Sequence, residues 1–426
     1  MFQLHNDWIP MEPSPATARP QFHFTSQGWI NDPHGITYAN GRYHHFFQHV
    51  PSATTWGLGC YWGHASGTDL FSLEEMEPAL VPGEGDDGVW SGSLIVDDAG
   101  TPTIFYTSVT AENPALGTVR TATPVNDDWI EWKKGAIVAR PAGDKNLIAY
   151  RDPAFIRTTE GWQMIVGAAF DDGTAGALGY FSADGVDWRP EGIVLSRPVS
   201  EREPVRSGGM WECPQILEVN GQHALIVSVW EDNVLFDVVY ALGTFIDGIF
   251  TASTWRRLSH GPSPYAATVF QDAKGSSCMM FWLREITGPG WAGAHSIPYR
   301  ISIQDDTLVL TPHPDLDAYR VPAGEQLGPA GSACDIVWPA ASGNSFAIRQ
   351  DCGPVLALER TAAELVVRIR DEVYSFPWAG DIRVIIDGPV VEIASWAGVF
   401  AAPMTALEGP WTIAGAAVAV HRLARN

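Results

Sequence analysis

The sequence predicts an all-β protein: a five-bladed β-propeller over residues 1–300, a linker over 301–332 and a C-terminal β-sandwich over 333–426. Three observations predict it. A unit of two strands joined by a glycine-bearing turn recurs five times, at intervals of roughly 60 residues. An Asp-led turn followed by an aromatic recurs between those units. Beyond about Arg300 that spacing is lost, and short alternating strands take over.

The first unit, "NDPHGITYANGRYHHFFQHV" from Asn31, reads as a strand, an Asn-Gly turn and a second, aromatic strand. It returns as "WSGSLIVDDAGTPTIFYTSV" from Trp90, "RDPAFIRTTEGWQMIVGAAF" from Arg151, "ECPQILEVNGQHALIVSVW" from Glu212 and "YAATVFQDAKGSSCMMFWLR" from Tyr265. Between them, "SGTDLFSLEE", "NDDWIEWKKG", "SADGVDWRPEG" and "FIDGIFTASTWRRL" read as the outer hairpin of each unit. No amphipathic helix with capping signals interrupts the series. Five four-stranded units around one axis make a five-bladed propeller, whereas a sandwich of hairpins needs no such regular spacing. "DDTLVLTPHPDLDAYRVPAGEQLGPAGSA" then reads as a short strand followed by a linker. "SFAIRQ", "VLALER", "ELVVRIR", "EVYSFP", "IRVIIDG", "VVEIAS" and "GPWTIAGAAVAV" supply the strands of the sandwich.

Composition narrows the function classes. A chain of 426 residues that is 46% apolar can bury a sizeable core. A net charge of −23 argues against nucleic acid and against anionic membrane surfaces as partners. Cys60, Cys213, Cys278, Cys334 and Cys352 show no C-x-x-C spacing, so neither a zinc site nor a disulfide framework is expected. Reduced thiols, no basic-then-apolar leader at the first residues and no apolar run of about 20 residues together predict a cytoplasmic location. Most of the 18 tryptophans must pack cores, but flat indoles also suit the apolar faces of sugars.

Three of the five unit heads carry a carboxylate beside or near a proline: Asp32 in "NDP", Asp152 in "RDP" and Glu212 in "ECP". In a propeller the innermost strands line a central channel, so equivalent heads converge. Proline lacks an N–H and fixes φ, which suits the first residues of a strand. Three acids in one pocket raise each other's pKa, a cost that chemistry can require. A pair of carboxyls is the machinery of glycoside hydrolysis. Clustered carboxylates also bind calcium, but "DDAGT" at Asp97 and "DDGT" at Asp171 read more simply as hairpin turns. There is no H-E-x-x-H, no G-x-S-x-G and no phosphate loop, so no metal and no cofactor is expected.

In this order and at these intervals, "WINDPHG", "YRDPAF" and "WECPQ" resemble the signatures of glycoside hydrolase family 32, the β-fructofuranosidases. The resemblance extends to "FFQHVPSATTWGLGCYWGHASGTDL", to "WSGS" at Trp90 and to "GWAGAHSIPYRISI", and more weakly to "IRVIIDGPVVEIAS". It implies retaining hydrolysis of a terminal β-D-fructofuranosyl unit of sucrose or a short fructo-oligosaccharide. Asp32 is then the nucleophile, Glu212 the acid/base with a raised pKa, and Asp152 the holder of ring hydroxyls. Arg151 offsets negative charge. Asn31, Gln48, Trp56, Trp90, Ser91, Tyr265 and Trp282 match substrate-binding positions.

Two departures stand out. His34 replaces a frequent Asn after Asp-Pro, and "YAATVF" lacks the family's Tyr-Ala-Pro-Gln, which questions Tyr265. Cys213 is expected to pack against Glu212 rather than to react. The rival readings are an inverting arabinan or xylan hydrolase of glycoside hydrolase family 43 and a sugar-binding propeller without catalysis. The first is separated by carboxyl spacing, about 5–5.5 Å for retention against roughly 6.5–9.5 Å for inversion.

Overall fold

The computed structural model describes residues 19–425 apart from 142, 144–145, 323–332, 352 and 408–409, so Cys352 lies outside the described residues. All five recurrent units fold as antiparallel hairpins. Gly28–Ala39 pairs with Arg42–Val50, Gly88–Val96 with Pro102–Val109, and Leu147–Arg157 with Trp162–Phe170. Met210–Val219 pairs with Gln222–Glu231, and Pro264–Gln271 with Ser277–Gly288. The turns Asn40-Gly41 and Asn220-Gly221 hold φ of 51° and 79°, and of 54° and 79°. Two positive φ values in a row give the turn whose twist matches that of the flanking strands.

The Asp-led turns join third to fourth strands: Tyr61–Gly67 to Glu74–Glu75, Thr118–Pro124 to Trp132–Ala139, Thr174–Ser182 to Arg189–Pro198 and Val234–Ile246 to Ile249–Arg257. Asp69, Asp128 and Asp184 each accept a backbone N–H from two residues further on, at 2.8, 3.0 and 2.9 Å. A short carboxylate that caps its own turn explains why Asp recurs there.

The fifth sheet is completed by residues expected to form a linker. Tyr299–Gln304 pairs with Ser277–Gly288 on one side and with Thr307–Pro312 on the other. The boundary expected at residue 300 therefore falls inside this sheet. Its turn, Asp305-Asp306, has φ of 47° and 54° but is followed by no aromatic, so the repeat signature is missing. A 3-10 helix at Pro314–Tyr319 and a short strand at Arg320–Pro322 follow. Among the described residues no helix is long and apolar enough to cross a membrane.

The five inner strands touch in sequence, and Pro264–Gln271 touches Gly28–Ala39, so they close into a ring. Parallel pairing of Gly28 with Trp291 and of Trp29 with Ala292 reinforces the closure. Apolar faces between successive sheets fill the wedges. Ile95, Phe105, Met164 and Leu178 pack together in one cluster, and Ala154, Ile165, Trp211 and Leu225 in the next.

The C-terminal strands form two sheets over one core that includes Trp338, Phe346, Leu356, Val384 and Phe400. Sequence reading named neither Ala333–Trp338 nor Gly398–Pro403. The single strand expected over "GPWTIAGAAVAV" is two, Thr412–Gly415 and Ala419–Leu423, one in each sheet. The larger sheet takes both edge strands, Ser259–His260 and Arg320–Pro322, from earlier in the chain. A buried polar knot adds to the seam: His23 lies 2.8 Å from Asp387 and 2.7 Å from Glu392.

Candidate active site

Every inner strand carries one extra residue at its motif relative to its partner, and these five bulges recur around the ring. They lie between Ile30 and Pro33, Trp90 and Gly92, Arg151 and Ala154, Glu212 and Gln215, and Tyr265 and Thr268. Further irregularities fall between His34 and Thr37 and between Leu147 and Ala149. A bulge suspends ladder pairing, tolerates Pro and re-aims the side chains beside it. Asn31, Asp32 and Pro33 can thus sit inside a strand rather than ahead of one.

Aligning the bulges corrects one expectation, because the three acids do not occupy equivalent repeat positions. Arg151, Glu212 and Tyr265 share one level. Asp152, Cys213 and Ala266 share the next, all with left-handed φ of 66°, 46° and 47°. Asp32 sits one level further on, beside Pro153 and Pro214.

Cys213 links the staggered acids. Its sulfur lies 3.6 Å from Asp32 Oδ2 and 3.9 Å from Asp152 Oδ2, and its backbone N–H donates to Asp152 Oδ2 at 3.0 Å. The thiol therefore meets the two aspartates rather than packing against Glu212 alone. Asp32 accepts the Ser91 hydroxyl at 2.6 Å and Asn31 Nδ2 at 3.0 Å, and Trp29 Nε1 donates to Asn31 at 3.0 Å. Glu212 accepts Arg151 through Nη2 at 2.8 Å and Nε at 3.1 Å, and the Tyr265 hydroxyl at 2.6 Å. The missing Pro-Gln has therefore not displaced Tyr265 from the site.

Burial sets the proton affinities. It raises Asp32 above the usual carboxylate range, opposed by the Ser91 and Asn31 bonds and assisted by the charge of Glu212. It raises Asp152 to about 7 against the pull of Arg151, with Glu212 and Asp32 adding to the rise. Burial and the three acids push the Cys213 thiol well up, so a thiolate is disfavoured there.

The remaining predicted residues divide into two groups. Trp282 is buried, with its ring edge-on to Trp29 at 5.5 Å and to Tyr265 at 6.4 Å. Trp56 is exposed on a loop, edge-on to Trp90 at 5.7 Å. Gln48 is buried and reaches the Val89 carbonyl at 3.5 Å, so it braces the strand bearing Trp90 and Ser91. Sequence reading missed Thr107, whose Oγ1 accepts the Asp152 N–H at 2.9 Å and donates to the Ser91 carbonyl at 2.8 Å. It also missed Arg284, whose guanidinium lies 4.9 Å from the Tyr265 ring. Neither residue carries a motif.

The model of the glycosyl hydrolases family 32 N-terminal domain matches residues 23–313, the whole stretch that builds the ring and its sheets. The chain belongs to glycosyl hydrolase family 32. The family match ends one residue after the fifth sheet, consistent with the extended boundary seen above. Among curated relatives, the sucrose-6-phosphate hydrolase of Zymomonas mobilis is 30% identical over 330 residues, covering 71% of this chain and 63% of its own. The fructan 1-exohydrolase of Leymus chinensis is 30% identical over 340 residues, covering 71% of this chain and 55% of its own. The matched stretch thus spans less than two thirds of the length of these family 32 relatives. A solved β-fructofuranosidase of that family from Bombyx mori is similar in fold, with a TM-score of 0.81 at 21% identity over 97% of this chain and 94% of its own. The sucrose-6-phosphate hydrolase structure from Lactobacillus gasseri gives 0.80 at 19% identity, over 99% and 97%.

Proposed function

We propose that the protein is a retaining β-fructofuranosidase acting on sucrose or short fructo-oligosaccharides from a five-bladed propeller that carries a C-terminal sandwich. The ring of five inner strands and the likeness to family structures support the architecture. One observation carries the activity: Asp32, Asp152 and Glu212 meet at the bulges of one ring, with separate donor sets on Asp32 and Glu212.

Asp32 attacks the anomeric carbon of the fructosyl unit while Glu212, protonated, gives its proton to the departing oxygen. The products of this step are the free leaving sugar and a fructosyl ester on Asp32. Glu212, now a carboxylate, takes a proton from water, which attacks the same carbon and regenerates Asp32. Asp152 holds ring hydroxyls against the oxocarbenium-like transition state. The relatives named for sucrose-6-phosphate and fructan support a fructosyl donor, and the free, buried state of the four described cysteines supports a cytoplasmic location.

The test incubates the purified protein with sucrose, kestose, inulin and levan, and separately with arabinan and xylan, and identifies the products. Free fructose with initial retention of configuration is expected. Arabinose or xylose release, or inversion, overturns the reading. Asp32→Ala is expected to abolish turnover in a folded protein; undiminished fructose release would favour a different nucleophile.

A further inference from the structure

Beneath the nucleophile lies a pair of histidines that the mechanism above does not use. His45 and His295 are both fully buried, on different strands of the sheet where the ring closes. His45 Nε2 lies 2.7 Å from His295 Nδ1, and His295 Nε2 lies 2.7 Å from the backbone carbonyl of Asn31. Phe24 flanks both rings, at 5.2 Å from His45 and 5.6 Å from His295, and Phe47, itself 5.0 Å from Phe24, lies 5.9 Å from each.

The acceptor fixes the direction of the whole chain. A carbonyl can only accept, so His295 carries its proton on Nε2 and presents a bare Nδ1. That Nδ1 must then accept from His45 Nε2–H. His45 Nδ1 has no partner among the described residues. Burial keeps both rings neutral, lowering His295 to about 3 and His45 well below its ordinary value.

The carbonyl so held is not an ordinary ladder group. It belongs to the first bulge, where strand pairing between Ile30 and Pro33 is interrupted. The Asn31 carbonyl and the Asp32 N–H share one rigid peptide plane, and the Asn31 side chain also braces Asp32 Oδ1. Rotating that plane moves Asp32 relative to the anomeric carbon.

We propose that His295, oriented by His45, is a positioning residue that locks the Asn31–Asp32 peptide and so aims the nucleophile. The inference rests on Asp32 being the nucleophile. A misaimed attacking group loses the chemical step while leaving most substrate contacts intact.

The test compares His295→Phe with His295→Gln, and both with Asp32→Ala, by kcat, KM and thermal midpoint on whichever fructosyl donor the wild type turns over. Gln places an amide donor near the position of Nε2, whereas Phe keeps the ring and loses the donor. The expected result is kcat at least about 10-fold lower for Phe than for Gln, with KM changed by less than about 3-fold. A packing role predicts the reverse, Phe near wild type and Gln impaired in step with its thermal midpoint, and that order overturns the proposal. Equal kcat for the two variants overturns it as well. If His295→Phe does not fold, His295→Asn replaces it, because the shorter amide cannot reach the Asn31 carbonyl; equal kcat for Asn and Gln is then the contradicting result. Turnover by Asp32→Ala would remove the underlying reading, whereas an inactive Asp32→Ala beside an unimpaired His295→Phe removes this inference alone.

Discussion

Asp152 keeps a carboxyl group with a pKa of about 7 in a pocket where folding alone would favour a neutral side chain. Because its folded pKa lies above the unfolded value, ionising it in the native state costs stability as pH rises from about 4 to about 7. Asp152→Asn removes that cost. The variant should melt higher than wild type at pH 8, with the difference vanishing near pH 4, and should lose most of its turnover. Equal melting at both pH values would contradict the assigned burial. Tyr265→Phe deletes one of the donors on Glu212, and about 10- to 100-fold in kcat should go with it at a nearly unchanged melting temperature. At this scale the acids were legible because Pro beside a carboxylate is rare inside strands. Thr107 and His295 were not: His295 stands in the family-like segment "GWAGAHSIPYRISI", but nothing local ties it to Asn31, and Thr107 sits in a strand with no sign of its bonds to Ser91 and Asp152.

The working element is the bulged inner strand. Its extra residue lets each motif leave the ladder, and it staggers the acids by single positions, so that two aspartates and the longer Glu212 reach one pocket from three levels. Gly92 shows how tight this geometry is, since a Cβ there would collide with the Phe105 carbonyl and with Tyr106 Cα. Gly92→Ala should therefore move Ser91 off Asp32, lowering stability by roughly 2 kcal/mol or more and kcat with it, as chemical denaturation and kinetics would show. A variant as stable and active as wild type would mean the strand tolerates another path. Hairpins with Asn-Gly turns and Asp caps could be read directly from sequence. The hairpin at Tyr299–Pro312 could not, because its Asp-Asp turn lacks the aromatic that marks the others. The bulges themselves left no trace beyond their prolines, and so the acids were assigned to a common register that they do not share.

At the scale of the molecule, the ring and the two-sheet body are joined by shared edge strands and by His23. Burial alone would lower this imidazole, but bonds to Asp387 and Glu392 and the charges of those acids raise it to about 9. A raised folded pKa means that the contribution to stability is complete below about 6.5 and is lost as pH rises through about 9. The urea midpoint of wild type should therefore fall between pH 7 and pH 10 by more than that of His23→Gln, and parallel pH profiles would contradict this. The family signatures and the alternation of strands made both bodies legible. The seam was not, because it joins residues more than 360 positions apart.

The central claim is that these convergent acids act through a covalent bond between Asp32 and a fructosyl unit. Acid quenching during turnover, followed by peptide mass analysis, measures that bond directly. One hexosyl unit is expected on the peptide containing Asp32, absent from Asp32→Ala and accumulating when Glu212 is replaced by Gln and a donor with an activated leaving group is used. An adduct on another residue, or fructose release with no adduct under any of these conditions, would contradict the account.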